Sequence, residues 1–254
     1  FFKELIPLIK WALTAQLPHL HRGMLPFNGD ETYIAGGILP RDCMNCGALE
    51  ATYLFVSGAE ACLPALQKLV GREHWMDEVA SAARDVRARY DQNFRRAEGY
   101  VCNSTLRLEG LKAPEVRHGV CNACHAFGWT HRVSDNWYVC AYCLPTAKDG
   151  SHVREYHLKS VVTMAVYAGS DLLEEAFLKQ EIESFLEGYR DTGALPSRPD
   201  GNKCLGYDYG LLLYAAKRFG LNADDLLGHM LSLRDSAGAW VEDYEDNRPT
   251  GTYC

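Results

Sequence analysis

Four cysteines constrain this chain more than any other feature. Cys121 and Cys124 form one Cys-x-x-Cys pair and Cys140 and Cys143 a second, with fifteen residues between the pairs. Two tight pairs at that separation are the spacing with which a small β module folds around one tetrahedral zinc ion. Four thiolates at about 2.3 Å fill the coordination sphere, and the ion keeps each thiol deprotonated. A sphere closed by sulfur leaves no position for a substrate, so the expected zinc is structural. The alternatives are buried reduced thiols, or two disulfides in a secreted chain. His118, His125 and His131 lie nearby, but with four cysteines present they read as surface or core histidines. Short β-prone runs supply the strands: Val116 to Val120, Gly128 to Val133 and Asn136 to Val139, with Ser134-Asp135-Asn136 as a turn. Cys43 and Cys46 make a third pair that would join Cys204 or Cys254 in a second site, or else are ordinary reduced cysteines in a loop.

Outside this segment the sequence is patterned for helices, because apolar residues recur at intervals of three and four. From Trp75 to Phe94 the set is Trp75, Val79, Ala83, Val86, Tyr90 and Phe94, and from Leu172 to Tyr189 it includes Leu173, Ala176, Phe177, Ile182, Phe185 and Leu186. Further helices are expected near Phe2 to Leu17, His157 to Ala168, Tyr209 to Phe219 and Ala223 to Leu233, the last starting behind Asn222 as N-cap. Turns as short as Gly169-Ser170-Asp171 and Gly220-Leu221-Asn222 make antiparallel helix hairpins. A run of hairpins packs as a bundle or as a curved array that closes into an (α/α) toroid. The expected class is mainly α with a small β zinc-ribbon insertion. Helical hairpins would fill residues 1–110 and include an acidic loop at 19–47; the ribbon would occupy 111–146, and further hairpins of the same domain 147–254.

Composition narrows the function. Among 254 residues, 47% are hydrophobic and 23% charged, which suits a globular protein with a sizeable core. No apolar run approaches the roughly 20 residues that span a bilayer, and the opening Phe1-Phe2-Lys3-Glu4-Leu5 lacks the pattern of a signal peptide, so a soluble protein without a membrane partner is expected. Six of the ten cysteines sit in Cys-x-x-Cys pairs, which suits a reducing, cytoplasmic setting. The net charge of -7 opposes general attraction to nucleic acid. Residues 112 to 148 carry only Lys112, Arg117, Arg132 and Lys148 against Glu115 and Asp135, too few cations for a nucleic-acid reader. The chain contains no phosphate loop, nucleophile elbow or dinucleotide fingerprint.

Two acidic stretches carry the candidate chemistry. Between glycines and aromatics, Asp30 and Glu31 stand in Asn28-Gly29-Asp30-Glu31-Thr32-Tyr33, where burial would raise a carboxyl's pKa toward that of a general acid. Trp240-Val241-Glu242-Asp243-Tyr244 again sets acids beside aromatics, and Asp208 lies between Tyr207 and Tyr209. Paired carboxylates with aromatic faces for sugar rings are what glycoside hydrolysis needs. Trp11, Trp129 and Trp240 are candidate platforms, although tryptophan is more often core.

At these residues the chain resembles the six-hairpin, α/α-toroid glycosidase-like proteins. Residues Asn28 to Tyr33 are similar to their acid-bearing loop, Leu49-Glu50-Ala51-Thr52-Tyr53-Leu54-Phe55 to the helix after it, and Trp240 to Gly251 to their closing segment. The likeness extends over most of the chain through short motifs. It departs from the family in two ways: twelve helices need more chain than this, so hairpins are expected to be missing on the N-terminal side, and the ribbon is an insertion. The resemblance implies Glu31 as general acid and Glu242 as base or substrate ligand; Asp30, Tyr33, Arg41, Asp208 and Trp240 are candidate substrate contacts in the same cleft. A hydrolase needs both carboxylates; a phosphorylase needs the acid and a basic anion site such as Arg22 or Arg41. The alternatives are a ribbon that serves as an interaction module on a helical carrier, and a toroid that binds a glycan without cleaving it.

Overall fold

The computed structural model describes residues 2–25, 48–97, 99–100, 116–123, 125, 127–134, 136–140, 161–196 and 203–250. Most of these are helical, with small antiparallel sheets. The chain divides into two compact units, one holding the described residues up to 140 and the other those from 161.

The first unit is built on a helical hairpin. Helix α1 spans Phe2–Thr14, α2 Leu49–Val70 and α3 His74–Phe94. In α2 the buried residues Leu49, Thr52, Tyr53, Val56, Ala59, Leu63 and Leu66 fall on one stripe, and α3 answers with Met76, Val79, Ala83, Val86, Tyr90 and Phe94. Gly71, at φ 84, ends α2 in a conformation that side chains disfavour, and its N–H bonds to Gln67 O at 3.0 Å. The tight link turns α3 back along α2, and Arg87 grips Glu60 across the hairpin through two hydrogen bonds of 3.0 and 2.6 Å. Helix α3 runs straight into a hairpin of β1 (Arg95–Arg96) and β2 (Gly99–Tyr100), where Tyr100 is buried against Tyr90. Strands β3 (Val116–Val120), β4 (Phe127–Ser134) and β5 (Trp137–Cys140) form the antiparallel sheet expected of the ribbon, in the order β3-β4-β5. Asn136 takes φ 59 in the turn between β4 and β5, a conformation that asparagine tolerates better than most residues.

In the second unit, helical residues 161–167 precede α4 (Glu175–Thr192), β6 (Lys203–Leu205), α5 (Gly206–Arg218), α6 (Asp224–Ser232), β7 (Asp243–Glu245) and β8 (Arg248–Pro249). Helix α4 begins three residues later than periodicity suggests, because Leu172 and Leu173 are buried in the bend that precedes it. The N-cap of α6 is Ala223 rather than Asn222, yet the Asn222 side chain still accepts a bond from Asp224 N at 3.1 Å. Arg190 ties α4 to this turn, with Nε on Asp225 at 2.9 Å and a second nitrogen on Asn222 O at 2.6 Å. The core gathers Leu178, Ile182 and Leu186 from α4, Leu212, Ala215 and Ala216 from α5 and Leu226 from α6. The sheet β6-β7-β8, which the sequence pattern did not reveal, closes against the start of α5.

That closure depends on one glycine. Gly206 N donates to Glu242 O at 2.7 Å, and a Cβ at position 206 would collide with Val241 O and press on Tyr244 at 3.2 Å. Gly206→Ala is therefore expected to cost about 1–3 kcal/mol by overpacking against backbone. Differential scanning calorimetry should show a melting temperature several degrees lower, with far-ultraviolet circular dichroism unchanged at 20 °C.

Candidate functional site

The acids singled out first, Asp30 and Glu31, lie outside the described residues, as do Tyr33 and Arg41. Both flanks of their segment are described, and they meet. Arg22 and Gly23, at φ 54 and 77, form a turn closed by reciprocal bonds between His21 and Met24 of 2.9 and 3.0 Å. The chain then pairs Leu25 with Ala48, whose N–H donates to Leu25 O at 2.7 Å. Thr52, one turn into α2 and fully buried, accepts from Leu25 N at 3.0 Å and donates to Ala48 O at 2.6 Å. Asn93 on α3, 3% exposed, donates to Arg22 O at 3.0 Å, and the Tyr90 hydroxyl reaches Leu49 O at 3.3 Å. A buried hydroxyl or amide is costly unless it is bonded. In this unit two of them hold the backbone at the two ends of the segment that carries Glu31.

The remaining acid candidates, Asp208 and Glu242, lie on two segments of the second unit whose backbones are bonded. Leu205 pairs with Asp243, and Gly206 with Glu242, so the first turn of α5 lies against the segment that carries the second acid. Asp208, in that turn, is buried, while Glu242 is half-buried. An acid in the first turn of a helix also meets the positive end of the dipole, which gives Asp208 a structural use. Trp240 is 46% exposed, and its ring is fixed because Nε1–H donates to Met230 O at 2.8 Å. The hollow lined by Glu183, Leu186, Glu187, Arg190, Leu221 and Asn222 holds about 120 Å³, below the roughly 300 Å³ at which small-molecule sites begin. Of the other tryptophans, Trp11 is exposed on α1 and the Trp129 side chain lies outside the described residues.

An aromatic group beside Asp208 escaped the sequence pattern. Tyr189, Tyr209 and His229 stand with ring centres 5.4 to 6.4 Å apart. Burial, reinforced by the neighbouring Cys204 thiol, pushes the Tyr209 phenol far above its ordinary range, and its oxygen accepts from Leu195 N at 3.3 Å. Burial raises Tyr189 too, helped by Asp225 and opposed by Arg190. His229 is pulled below its usual value by burial, with Asn247 partly opposing, and its Nε2 is buried without a hydrogen-bond partner among the described residues. The signal was present: His229 occupies the core stripe of α6 between Leu226 and Leu233.

Of the four cysteines expected to bind zinc, Cys121 is buried just after β3. The turn after it is tight, since His125 N bonds to Cys121 O at 3.0 Å and His125 takes φ 60. That turn folds onto β5: Asn122 N donates to Tyr138 O at 2.8 Å, and Tyr138 N donates to Asn122 Oδ1 at 2.7 Å. The first knuckle therefore sits beside the strand that ends in Cys140. Arg117 braces the same strand, its guanidinium 3.4 Å from the centre of the Tyr138 ring. Cys124 and Cys143 lie outside the described residues, as does the side chain of Cys140. Among the described residues no three metal-binding side chains converge, and only one of the four thiols is among them. Of the third pair and its suggested partners, Cys43, Cys46 and Cys254 are outside the described residues, while Cys204 is buried beside Tyr209.

Comparison with family models, curated proteins and solved structures finds no match to the chain. No described helix is long and apolar enough to cross a membrane.

The lowered pKa of His229 has a definite sign. The native state favours the neutral ring, so its contribution to stability is complete above the unfolded value of about 6.5 and is lost as pH falls from there toward the lower native value. Melting temperatures at pH 7.5 and 5.5 should show a smaller acid-induced drop for His229→Phe than for the parent chain.

Proposed function

We propose that this is a carbohydrate-active protein, built from helical hairpins in the manner of a glycosidase-like toroid, in which Glu31 acts as general acid and a zinc ribbon stiffens the scaffold. The observation that carries it is the neck of the acidic segment. Leu25 and Ala48 are bonded to each other and to the buried Thr52, so the Glu31 segment leaves and rejoins the core at one point, against the start of α2. Functional residues are commonly carried this way, on a long connection anchored to rigid elements. Glu242, half-buried on the segment whose backbone accepts from Gly206 at the start of α5, is the second carboxylate in this reading, as hydrolysis of a glycosidic bond requires.

In this reading Glu31 protonates the glycosidic oxygen as the bond to the anomeric carbon breaks. Glu242, with Asp208 behind it, removes a proton from the attacking water; in an inverting enzyme the two acting carboxylates stand about 6.5–9.5 Å apart. Phosphorolysis needs the same acid, with Arg22 or Arg41 for the phosphate. Asp30, Tyr33 and Trp240 would line the sugar site. Glu31→Gln and the parent chain should be compared on p-nitrophenyl α- and β-glycosides and on malto-, cello- and xylo-oligosaccharides, with and without inorganic phosphate. The expected result is turnover by the parent and a loss of at least 100-fold in Glu31→Gln with binding retained. No turnover but oligosaccharide binding by the parent would make the protein a glycan binder, and neither would end the carbohydrate proposal.

For the ribbon, the donor set suits zinc: Cys121 is buried at a tight turn packed against the strand that leads to Cys140. When bound, the ion would be held by Cys121, Cys124, Cys140 and Cys143 and would link the two knuckles. Purified protein is expected to carry one zinc per chain by plasma mass spectrometry, and Cys121→Ser with Cys140→Ser to lower this below about 0.2. A ribbon that serves partner binding instead is favoured by one feature: the cross-strand pair Val120 and Phe127 is 50% and 72% exposed at the knuckle end. Retention of every carbohydrate activity in a chain with Val120→Ser and Phe127→Ser would leave that pair available for such a role.

A further inference from the structure

The polar groups buried in the first unit lead to a further assignment. Among its described residues, the buried Thr52 and Asn93 lie in helices whose other inward residues are chiefly apolar. Neither hydroxyl nor amide serves the packing of α2 on α3, where an apolar side chain of equal volume would be at least as good. Both are directed at the same stretch of backbone. Thr52 Oγ1 sits between the two sides of the neck, accepting from Leu25 N at 3.0 Å and donating to Ala48 O at 2.6 Å. Asn93 Nδ2 reaches Arg22 O at 3.0 Å, one residue before Gly23, where the turn lies over Val86 and Arg89 of α3. Arg22 is held there at φ 54, a conformation that a residue with a Cβ disfavours and that persists only where the surroundings over-determine it.

We infer that Thr52 and Asn93 are positioning residues: a clamp that fixes the two ends of the segment 26–47 relative to α2 and α3. The assignment of a catalytic purpose to that clamp rests on the reading of Glu31 as the working acid; the clamp itself does not. Removing the Thr52 hydroxyl strands the Leu25 amide in a dry environment, and the cheapest relief is to let the neck open locally while the hairpin stays folded. Thr52→Val preserves shape and removes the hydroxyl, Thr52→Ser preserves the hydroxyl, and Asn93→Leu tests the second arm.

Hydrogen–deuterium exchange resolved to single amides should show Leu25 and Ala48 exchanging at least tenfold faster in Thr52→Val, with the amides of α3 from Val79 to Tyr90 unchanged. Limited digestion with thermolysin should cut within 26–47 at least fivefold faster. Thr52→Ser should return both to within about threefold of the parent, and Asn93→Leu should act like Thr52→Val at Met24 and Leu25. Equal behaviour of the Val and Ser variants, unchanged exchange at the neck, or parallel acceleration along α3 would each overturn the clamp and leave Thr52 an ordinary core residue. A Thr52→Val chain that does not fold is judged on Asn93→Leu by the same criteria, and failure of both to fold overturns it as well. If the parent turns over a glycoside, Thr52→Val should lower kcat at least tenfold with KM within threefold. If it turns over none, the exchange result still stands and only the carbohydrate reading is lost.

Discussion

The bond between Leu25 and Ala48 is the constraint around which the first unit is arranged. It is a single antiparallel bridge, but each polar atom of Leu25 is occupied, one by Ala48 and the other by Thr52. The bridge also sets where α2 begins. Ala48 takes an extended conformation as N-cap without a capping side chain, and Thr52 bonds back to its carbonyl. Met24 and Leu25, 0% and 2% exposed, then pack under the helices whose start they define. Secondary structure, burial and segment geometry are thus settled at one place.

Much of this was legible from residue periodicity, and what was not has physical reasons. The stripe from Trp75 to Phe94 located α3 to within a residue because its apolar positions share one buried face, packed chiefly on α2. Helix α2 itself emerged at the sequence level only through family likeness; its spacing is blurred by Ala, Gly58 and Pro64 in mid-helix and by the polar Thr52, whose use is visible only in three dimensions. Strands β3 to β5 were foreseen because β-branched and aromatic residues cluster there and the cysteines punctuate them. Strands β6 to β8 were not, being only two or three residues long, with β6 specified by pairing to the distant β7 rather than by local pattern.

The candidate acids show the same division. Sequence reasoning named Asp208 and Glu242 separately, from neighbouring aromatics; the bonding of their two segments depends on the pairing of Leu205 with Asp243 and on the absence of a side chain at Gly206. His229 was passed over because a histidine in an apolar stripe looks like any core position until its neighbours, Tyr189 and Tyr209, are placed around it. Cys204 drew notice as a possible metal ligand, and its burial beside Tyr209 was not legible from its spacing.

The paired turn and bridge at Arg22 to Leu25 also bear on how this chain can change. Because Leu25 and Ala48 are fastened side by side, the chain reaches the first turn of α2 from a closed junction. Lengthening a connection whose ends are already closed adds little entropy, about 0.6 kcal/mol per doubling. Any change to the chain that keeps this bridge therefore keeps the point at which α2 starts.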